Sequence, residues 1–291
     1  MFLSGYTKAA RQRREKVALL IIRSLAGFVL IVLFSIMAYI LFNGLGAVNW
    51  TFLTSFPQNS MSSGGILPAI VGTLGLAVGS MAISLPLGFG AAIYLSDYAK
   101  PGPLVNAIRL GVANLAGVPS VVFGLFGLSL FVTVFGFGRS LLSGCLTLGL
   151  LTLPTVTAAA EEALRQTPLS FREAALALGA NRWQAVRQVV LPAALPGMLT
   201  GAILALGRAA GETAPIMLTA VTAYSPILPD SIFNEVMALA THVYFLATNG
   251  NNILQTRPQQ FGTSLVLLVL VLSLSLVAVV IRARLRRGRK W

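Results

Sequence analysis

The sequence predicts an all-α polytopic membrane protein with six transmembrane helices. Three observations predict it. Hydrophobic residues make up 56% of the 291 and charged residues only 10%, against about 25% charged in an average soluble domain. The apolar residues fall into runs long enough to span hydrocarbon, which takes about 20 helical residues. The basic residues gather in the two tails and in short connecting segments, as a multi-pass orientation requires.

The same composition argues against other classes. A net charge of +13 is no sign of nucleic-acid binding here, because the bases are not interleaved with aromatics on one face. Cys145 is the only cysteine and His242 the only histidine. No disulfide framework or thiolate metal site can be built within the chain, and a metal cluster or Ser/His triad would have to rest on one imidazole.

Residues 1–16 form a basic tail with Lys8, Arg11, Arg13, Arg14 and Lys16. The apolar run from Val17 to about Phe42 exceeds the roughly 7–15 residues of a cleaved signal, so it is a retained first helix in which Arg23 snorkels. Asn43 to Gly65 has no lysine or arginine and carries Trp50, Phe52 and Phe56, as an external interfacial loop would. The second crossing, Ile66 to about Ser96, is longer than a straight span needs. Tilt, a kink near Pro86 or an extension absorbs the surplus. A polar turn with Asp97, Lys100, Pro101, Pro103 and Arg109 precedes a third crossing over Gly111–Phe135. The fourth runs from Leu141 to about Ala160, the fifth from Leu195 to about Val221 and the sixth from Gly262 to Ile281. The membrane domain of 17–284 then gives way to a basic tail over 285–291. Gly75 with Gly79, Gly197 with Gly201, and Gly207 with Gly211 offer small faces for close helix packing. The polar stretch from Ala223 to about Phe261 is expected outside, with a short helix over Ser231–Phe245, as a lid or docking surface. His242 there reads as a surface or packing residue.

With the N-terminus inside, the two tails counted with Arg23, Arg282 and Arg284 at the adjoining helix ends, the 97–109 turn and residues 161–194 hold 18 of the 21 bases. Arg139 and Arg257 fall outside and Arg208 within the membrane. That asymmetry places both termini in the cytoplasm.

Residues 161–194 cannot stay in lipid, yet they are rich in strong helix formers. Ser170 followed by Glu173 fits a capping box and starts a helix near Phe171. Gly179 ends it in the left-handed conformation, and a second helix runs from about Arg182 to Val190, stopped by Pro192. Ala174, Ala175, Leu178, Trp183, Val186 and Val190 supply an apolar face. It either enters a groove on a partner protein or lies on the lipid surface, which Arg172, Arg182 and Arg187 also suit.

Arg208 and Glu212 lie near the centre of the fifth crossing, four residues apart and so on one helical face. Each charge costs about 2.5–3.5 kcal/mol at the middle of an inserted helix, which turns the pair toward a cavity or another subunit. Pro192 precedes Arg208 by 16 residues, about 24 Å of helix at 1.5 Å per residue. The pair either fixes helix packing or serves a path in which Arg208 meets an anion or the bridge is exchanged as a gate. Arginine suits phosphate or sulfate because its planar fork gives two hydrogen bonds to adjacent oxygens.

Glu173-Ala174-Ala175, Gly179, Val189 and Leu191-Pro192 resemble the EAA-x3-G-x9-I-x-LP signature of permease subunits in bacterial ABC importers, with valine at the isoleucine position. The run GRAAGETAP over 207–215 is similar to the RAxGETAP run of PstA-type permeases of phosphate importers. With VPSVVFGLFGL in the third crossing and LPAALPGMLTGAILAL entering the fifth, the resemblance extends from about Leu67 to the C-terminus. The first sixty residues carry none of it.

The resemblance implies the ABC importer permease fold with cytoplasmic coupling helices, in a bacterial inner membrane. It assigns ATPase coupling to Glu173, Ala174, Ala175, Gly179, Val189, Leu191 and Pro192, and it puts Arg208, Glu212 and Thr213 in the translocation path or gate. Pro86 and Pro215 are candidate hinges, Pro215 kinking the fifth helix just beyond the pair. The implied partners are a PstC-like sister permease, a PstB-like ATP-binding dimer and a PstS-like extracytoplasmic phosphate-binding protein. No GxxxxGK[ST] loop occurs in the chain, so it is not expected to be an enzyme, and ATP and Mg belong on the partner. No cofactor or metal is expected on this chain. Import of another oxyanion, molybdate or sulfate, is the alternative within the class. A scaffold or signalling protein that binds an ATPase without transport is the alternative outside it, and it leaves the buried charges unexplained.

Overall fold

The computed structural model describes residues 8–59, 61, 63–225, 227–248 and 253–287. The outermost parts of both basic tails, with Pro226, lie outside these. Twelve helices are described: α1 Lys8–Gly44, α2 Trp50–Thr54, α3 Leu67–Ile93, α4 Pro103–Ala116, α5 Ser120–Gly127, α6 Leu141–Arg165, α7 Leu169–Ala177, α8 Arg182–Ala185, α9 Leu191–Gly211, α10 Ala214–Thr219, α11 Leu239–Thr248 and α12 Ile253–Arg287. A two-residue hairpin, β1 Pro57–Gln58 against β2 Ser63–Gly64, is antiparallel with Pro57 opposite Gly64.

Five segments are long and apolar enough to cross a bilayer: Glu15–Gly44, Leu67–Tyr98, Leu141–Arg165, Arg182–Gly211 and Thr256–Arg284. The third crossing, expected over Gly111–Phe135, is a bent pair of helices. α4 and α5, the latter continued by a π-helical stretch to Val134, meet at 102°. Gly117 closes α4, and Pro119 forces Val118 away from helical backbone, so the chain turns there before α5 begins.

α3 and α6 form the most extensive helix pair, with α9 against both. Their contact surface is built from small and hydroxylated residues. Thr73, Ser80, Thr147, Thr152 and Thr157 are buried, and each hydroxyl donates to a carbonyl three or four residues earlier. Polar groups satisfied within their own helix can be buried without a penalty for lost water. α3 runs through Pro86 without interruption and widens into a π turn over Tyr94–Tyr98. One core cluster joins Leu76, Leu148, Ile216, Val221 and Val236, and a second joins Ala92, Ala160, Leu164, Val190 and Met198. The second cluster roots the 161–194 loop on α3 and α6. α1 packs on α12, with Tyr39 edge-on to Phe261 at 5.4 Å, and otherwise exposes apolar side chains all round, as suits contact with lipid or another chain.

The helix expected over Ser231–Phe245 is displaced to α11. Residues 231–238 instead serve the first turn of α6: the Leu141 and Leu142 amides donate to the Asn234 and Ile232 carbonyls, each at 2.9 Å. Helix N-terminal amides lack partners within the helix, and this loop supplies them. Val236 also pairs with the end of α10 through Val236 N to Ala220 O and Thr222 N to Val236 O, both 3.0 Å. The last helix starts at Ile253, earlier than the expected Gly262. His242 is buried, not at the surface, and its Nδ1 has no partner among the described residues.

Candidate functional site

Two groups of residues carry the candidate chemistry, and α9 connects them. The first is the 161–194 loop. α7 begins after Pro168, so Ser170 lies inside the helix and the Ser170–Glu173 capping box does not form. The chain's capping box sits instead on α8, where Asn181 Oδ1 accepts from the Gln184 amide at 2.9 Å and Gln184 Oε1 accepts from the Asn181 amide at 2.8 Å. α7 ends as expected at Gly179, whose φ of +84° is left-handed. The Gly179 amide donates to Leu176 O at 3.0 Å and the Ala180 amide to Ala175 O at 3.1 Å, the paired pattern that closes a helix around such a glycine.

Pro192 does not stop a second short helix. From Arg182 the chain is helical without a break to Gly211. The physical reason is the π stretch Val186–Val190, in which the Leu191 amide reaches back five residues to Val186 O. A proline ring in a regular helix collides with the carbonyl four residues back, and the wider turn opens that position. The expected apolar face is likewise divided. Ala175, Val186 and Val190 are buried in the chain's own core, whereas Leu178, 89% exposed, and Trp183 point outward with Leu169 and Leu176. Phe171, Ala174, Ala175, Leu178, Gln188, Val189 and Pro192 line a groove of about 620 Å³ between α7 and the root of α9. Glu173 is exposed, and Leu191 packs against the second core cluster.

The second group lies at the other end of α9. Arg208 Nε donates to Glu212 Oε1 at 3.1 Å, with side chains 37% and 14% exposed. Glu212 is the guanidinium's one partner among the described residues. The inward face of α9 consists of Ala194, Met198, Gly201, Ala202, Ala205, Ala209 and Ala210, while Leu204 and Gly211 are exposed on the side nearer the pair. Gly197 and Gly201 make the close approach expected of them: a Cβ on Gly197 would stand 2.7 Å from the Ala163 Cβ, and one on Gly201 would overlap the Ala159 Cβ. Gly207 and Gly211 make no such approach, since the nearest atom to a Cβ on Gly207 is 3.7 Å away and none lies within 4 Å of one on Gly211.

A full break, not a kink at Pro215, follows the pair. Glu212 is extended at φ −70° and ψ 139°, Thr213 caps the next segment, and α10 starts at Ala214 with Pro215 in its first turn. In a continuous helix the Pro215 ring would meet the Gly211 carbonyl, so the break falls between those two residues. α10 is held from the side by α5, where a Cβ on Gly124 would lie 2.8 Å from Pro215 Cα. Arg139 Nη2 donates to the Val221 carbonyl beyond α10, and its Nε stands 3.6 Å from Glu235 Oε1.

The sequence profile described as "Binding-protein-dependent transport system inner membrane component" matches residues 84–291, more than two thirds of the chain. The chain belongs to this family. Among its relatives is a probable ABC transporter permease, YqgI of Bacillus subtilis, 33% identical over 236 residues, covering 77% of this chain and 80% of that protein. The phosphate transport system permease PstA of Mycobacterium leprae is 36% identical over 221 residues, covering 76% and 72%. A probable PstA of Methanocaldococcus jannaschii is 32% identical over 263 residues, covering 90% and 91%. The fold is that of solved importers: a chain of a bacterial alginate ABC transporter aligns with TM-score 0.66 at 16% identity, covering 91% of this chain and 93% of that one. A chain of the MetNI methionine transporter aligns with TM-score 0.58 at 20% identity, covering 76% and 94%. This permease is therefore a multi-pass membrane subunit of an ABC importer, with PstA proteins among its homologues.

Sequence spacing did not reveal three ionic contacts of the permease, one of them the Arg139–Glu235 contact. Asp97, in the π turn of α3, pairs with Arg172 of α7 at 2.9 Å. Arg109 of α4 donates from Nε to Glu161 Oε1 at 2.8 Å and from Nη2 to Leu95 O at 2.9 Å, while Arg165 approaches the same Glu161 at 3.3 Å. The available signal was scarcity: the chain has eight acidic residues, and Asp97, Glu161, Glu212 and Glu235 all face arginines.

Proposed function

We propose that this permease subunit imports inorganic phosphate, forming half of a path whose charged element is Arg208–Glu212 and receiving force from an ATP-hydrolysing partner on α7. The observation that carries this reading is the position of the pair. It sits where α9 breaks, on helix with a small-residue inward face, and Arg208 keeps most of its donors uncommitted among the described residues. A second chain facing that side completes an anion site. The PstA names of its homologues and the GETAP run favour phosphate over molybdate or sulfate. Both termini and the 161–194 loop are cytoplasmic on the charge asymmetry, and an extracytoplasmic binding protein delivers substrate at the 222–238 side. The sister permease, the ATPase dimer and the binding protein are PstC-, PstB- and PstS-like, with ATP and Mg held by the ATPase. Glu173, with Leu178 and Trp183, faces that ATPase, and Thr213 contributes to the gate.

Phosphate uptake in cells carrying the complete transporter tests the reading, comparing the intact permease with Arg208→Gln and Glu173→Lys. Loss of uptake in the first with the complex intact, and loss of ATPase association in the second with insertion intact, are expected. Undiminished transport by Arg208→Gln removes the anion-path role, and uptake of molybdate in place of phosphate removes the substrate assignment.

A further inference from the structure

Asp97 is the most buried carboxylate among the described ion pairs, 3% exposed, and its partner Arg172 is 25% exposed. Oδ1 receives the guanidinium at 2.9 Å, while Oδ2 is buried without a partner among the described residues. The residue stands in the π turn that ends α3, two residues from Leu95, whose carbonyl Arg109 ties to Glu161 of α6. That end of α3, α4 and α6 is thus one clamped body. α7 follows α6 after residues 166–168 and reaches this body again across the Arg172–Asp97 bridge, and its most extensive packing is with the π stretch that leads into α9 and with α8.

We propose that Arg172 and Asp97 form a strut through which α7 moves α3 and α6 as well as α9. The inference rests on the reading of α7 as the ATPase-facing helix. Toward α9, α7 acts through its packing on the π stretch and, along the chain, through Gly179, which stands in open space with left-handed backbone and transmits thrust poorly. The bridge bypasses it. Separating the pair would strand a buried carboxylate that has no second donor among the described residues, so the two side chains travel together while α7 is displaced. Asp97 and Arg172 are accordingly positioning residues: they bind neither nucleotide nor substrate, and they set how much helix movement each ATP produces.

The test uses the complete complex of permeases, ATPase and binding protein in proteoliposomes, measuring ATP hydrolysis and phosphate uptake together. Asp97→Asn and Arg172→Gln are expected to retain ATPase association and hydrolysis while uptake per ATP falls on the order of tenfold, as for loss of a buried ionic contact. A purely local folding role would lower both in proportion, and that result, or an unchanged ratio, overturns the strut. A second arm does not depend on the substrate. In a Cys145→Ala background, Asp97→Cys with Arg172→Cys is treated with a short bifunctional thiol reagent without nucleotide, with ATP and Mg, and after vanadate trapping. Equal crosslinking in all three states is expected, and a yield that collapses in one of them overturns the proposal. Intact permease that hydrolyses ATP without taking up phosphate defeats the substrate reading alone, and the crosslinking comparison still decides the strut.

Discussion

Arg208 and Glu212 face each other across the end of a helix: Nε and Oε1 are 3.1 Å apart, yet Arg208 lies in the last turn of α9 while Glu212 has already turned to extended backbone at ψ 139°. The four-residue spacing brings them together on a helix, and the pair persists where the helix stops. The bridge therefore spans the one place between Arg182 and Thr219 at which the backbone can pivot without breaking regular helical hydrogen bonds.

A charged side chain with spare donors beside such a pivot should be sensitive to shape as well as charge. Arg208→Lys keeps the charge and loses the planar fork. One hydrogen bond to a charged group is worth about 1.5–3 kcal/mol, so if Arg208 meets the imported anion as proposed, kcat/KM for uptake should fall by about tenfold to a hundredfold. Initial rates of radiolabelled phosphate uptake, at matched membrane content, check this. Rates equal to those of the intact permease would show that charge alone is used.

Close approach of α6 and α9 makes a second, structural prediction. Gly201 lies against Ala159, so Gly201→Ala places two methyl groups in the space of one. Overpacking of this kind costs about 1–3 kcal/mol, seen as a lower unfolding temperature in detergent. Ala159→Gly in the same chain frees the space and should recover most of the loss. Failure of the double variant to recover would place the strain elsewhere.

The features legible in the sequence were those with a local physical signature. Apolar run length found the spans, the conformational demand on Gly179 placed the end of α7, and the four-residue spacing placed Arg208 near Glu212. Where the outcome depended on an irregular turn or on groups distant in sequence, spacing gave the wrong boundary or no pairing. Pro192 reads as a helix stop because nothing in its neighbours announces the π turn that accommodates it. Residues 231–238 have helical patterning, but their carbonyls are used by the α6 amides far earlier in the chain. Asp97 and Arg172 are 75 positions apart, too far for any periodicity to pair them.

Cys145 offers a test of the α3–α6 core. It is buried against Gly79, with its thiol 3.7 Å from Gly75 O. A maleimide should leave it unmodified in the folded permease and label it fully after denaturation. Gly79→Ala would push a methyl group into the sulfur and should expose the thiol to labelling under native conditions. Rapid labelling of the unaltered permease would mean that α3 and α6 part readily in solution.

The last prediction concerns the turn between α7 and α8. A side-chain carbon added at Gly179 would have no neighbour within 4 Å, so substitution there meets only the backbone penalty of φ +84°. That penalty is about 1–2 kcal/mol for an ordinary L-residue and smaller for asparagine. Amide hydrogen exchange at residues 179 and 180, whose N–H groups close the helix onto Leu176 and Ala175, should therefore accelerate by about 5- to 30-fold in Gly179→Ala. Gly179→Asn should accelerate it less. If α7 is the surface that the ATPase grips, co-purification of the ATPase should weaken in the same order, because the end of the helix must close before it can be held. Exchange that quickens while association stays constant would mean that the partner grips α8 and Trp183 and not α7.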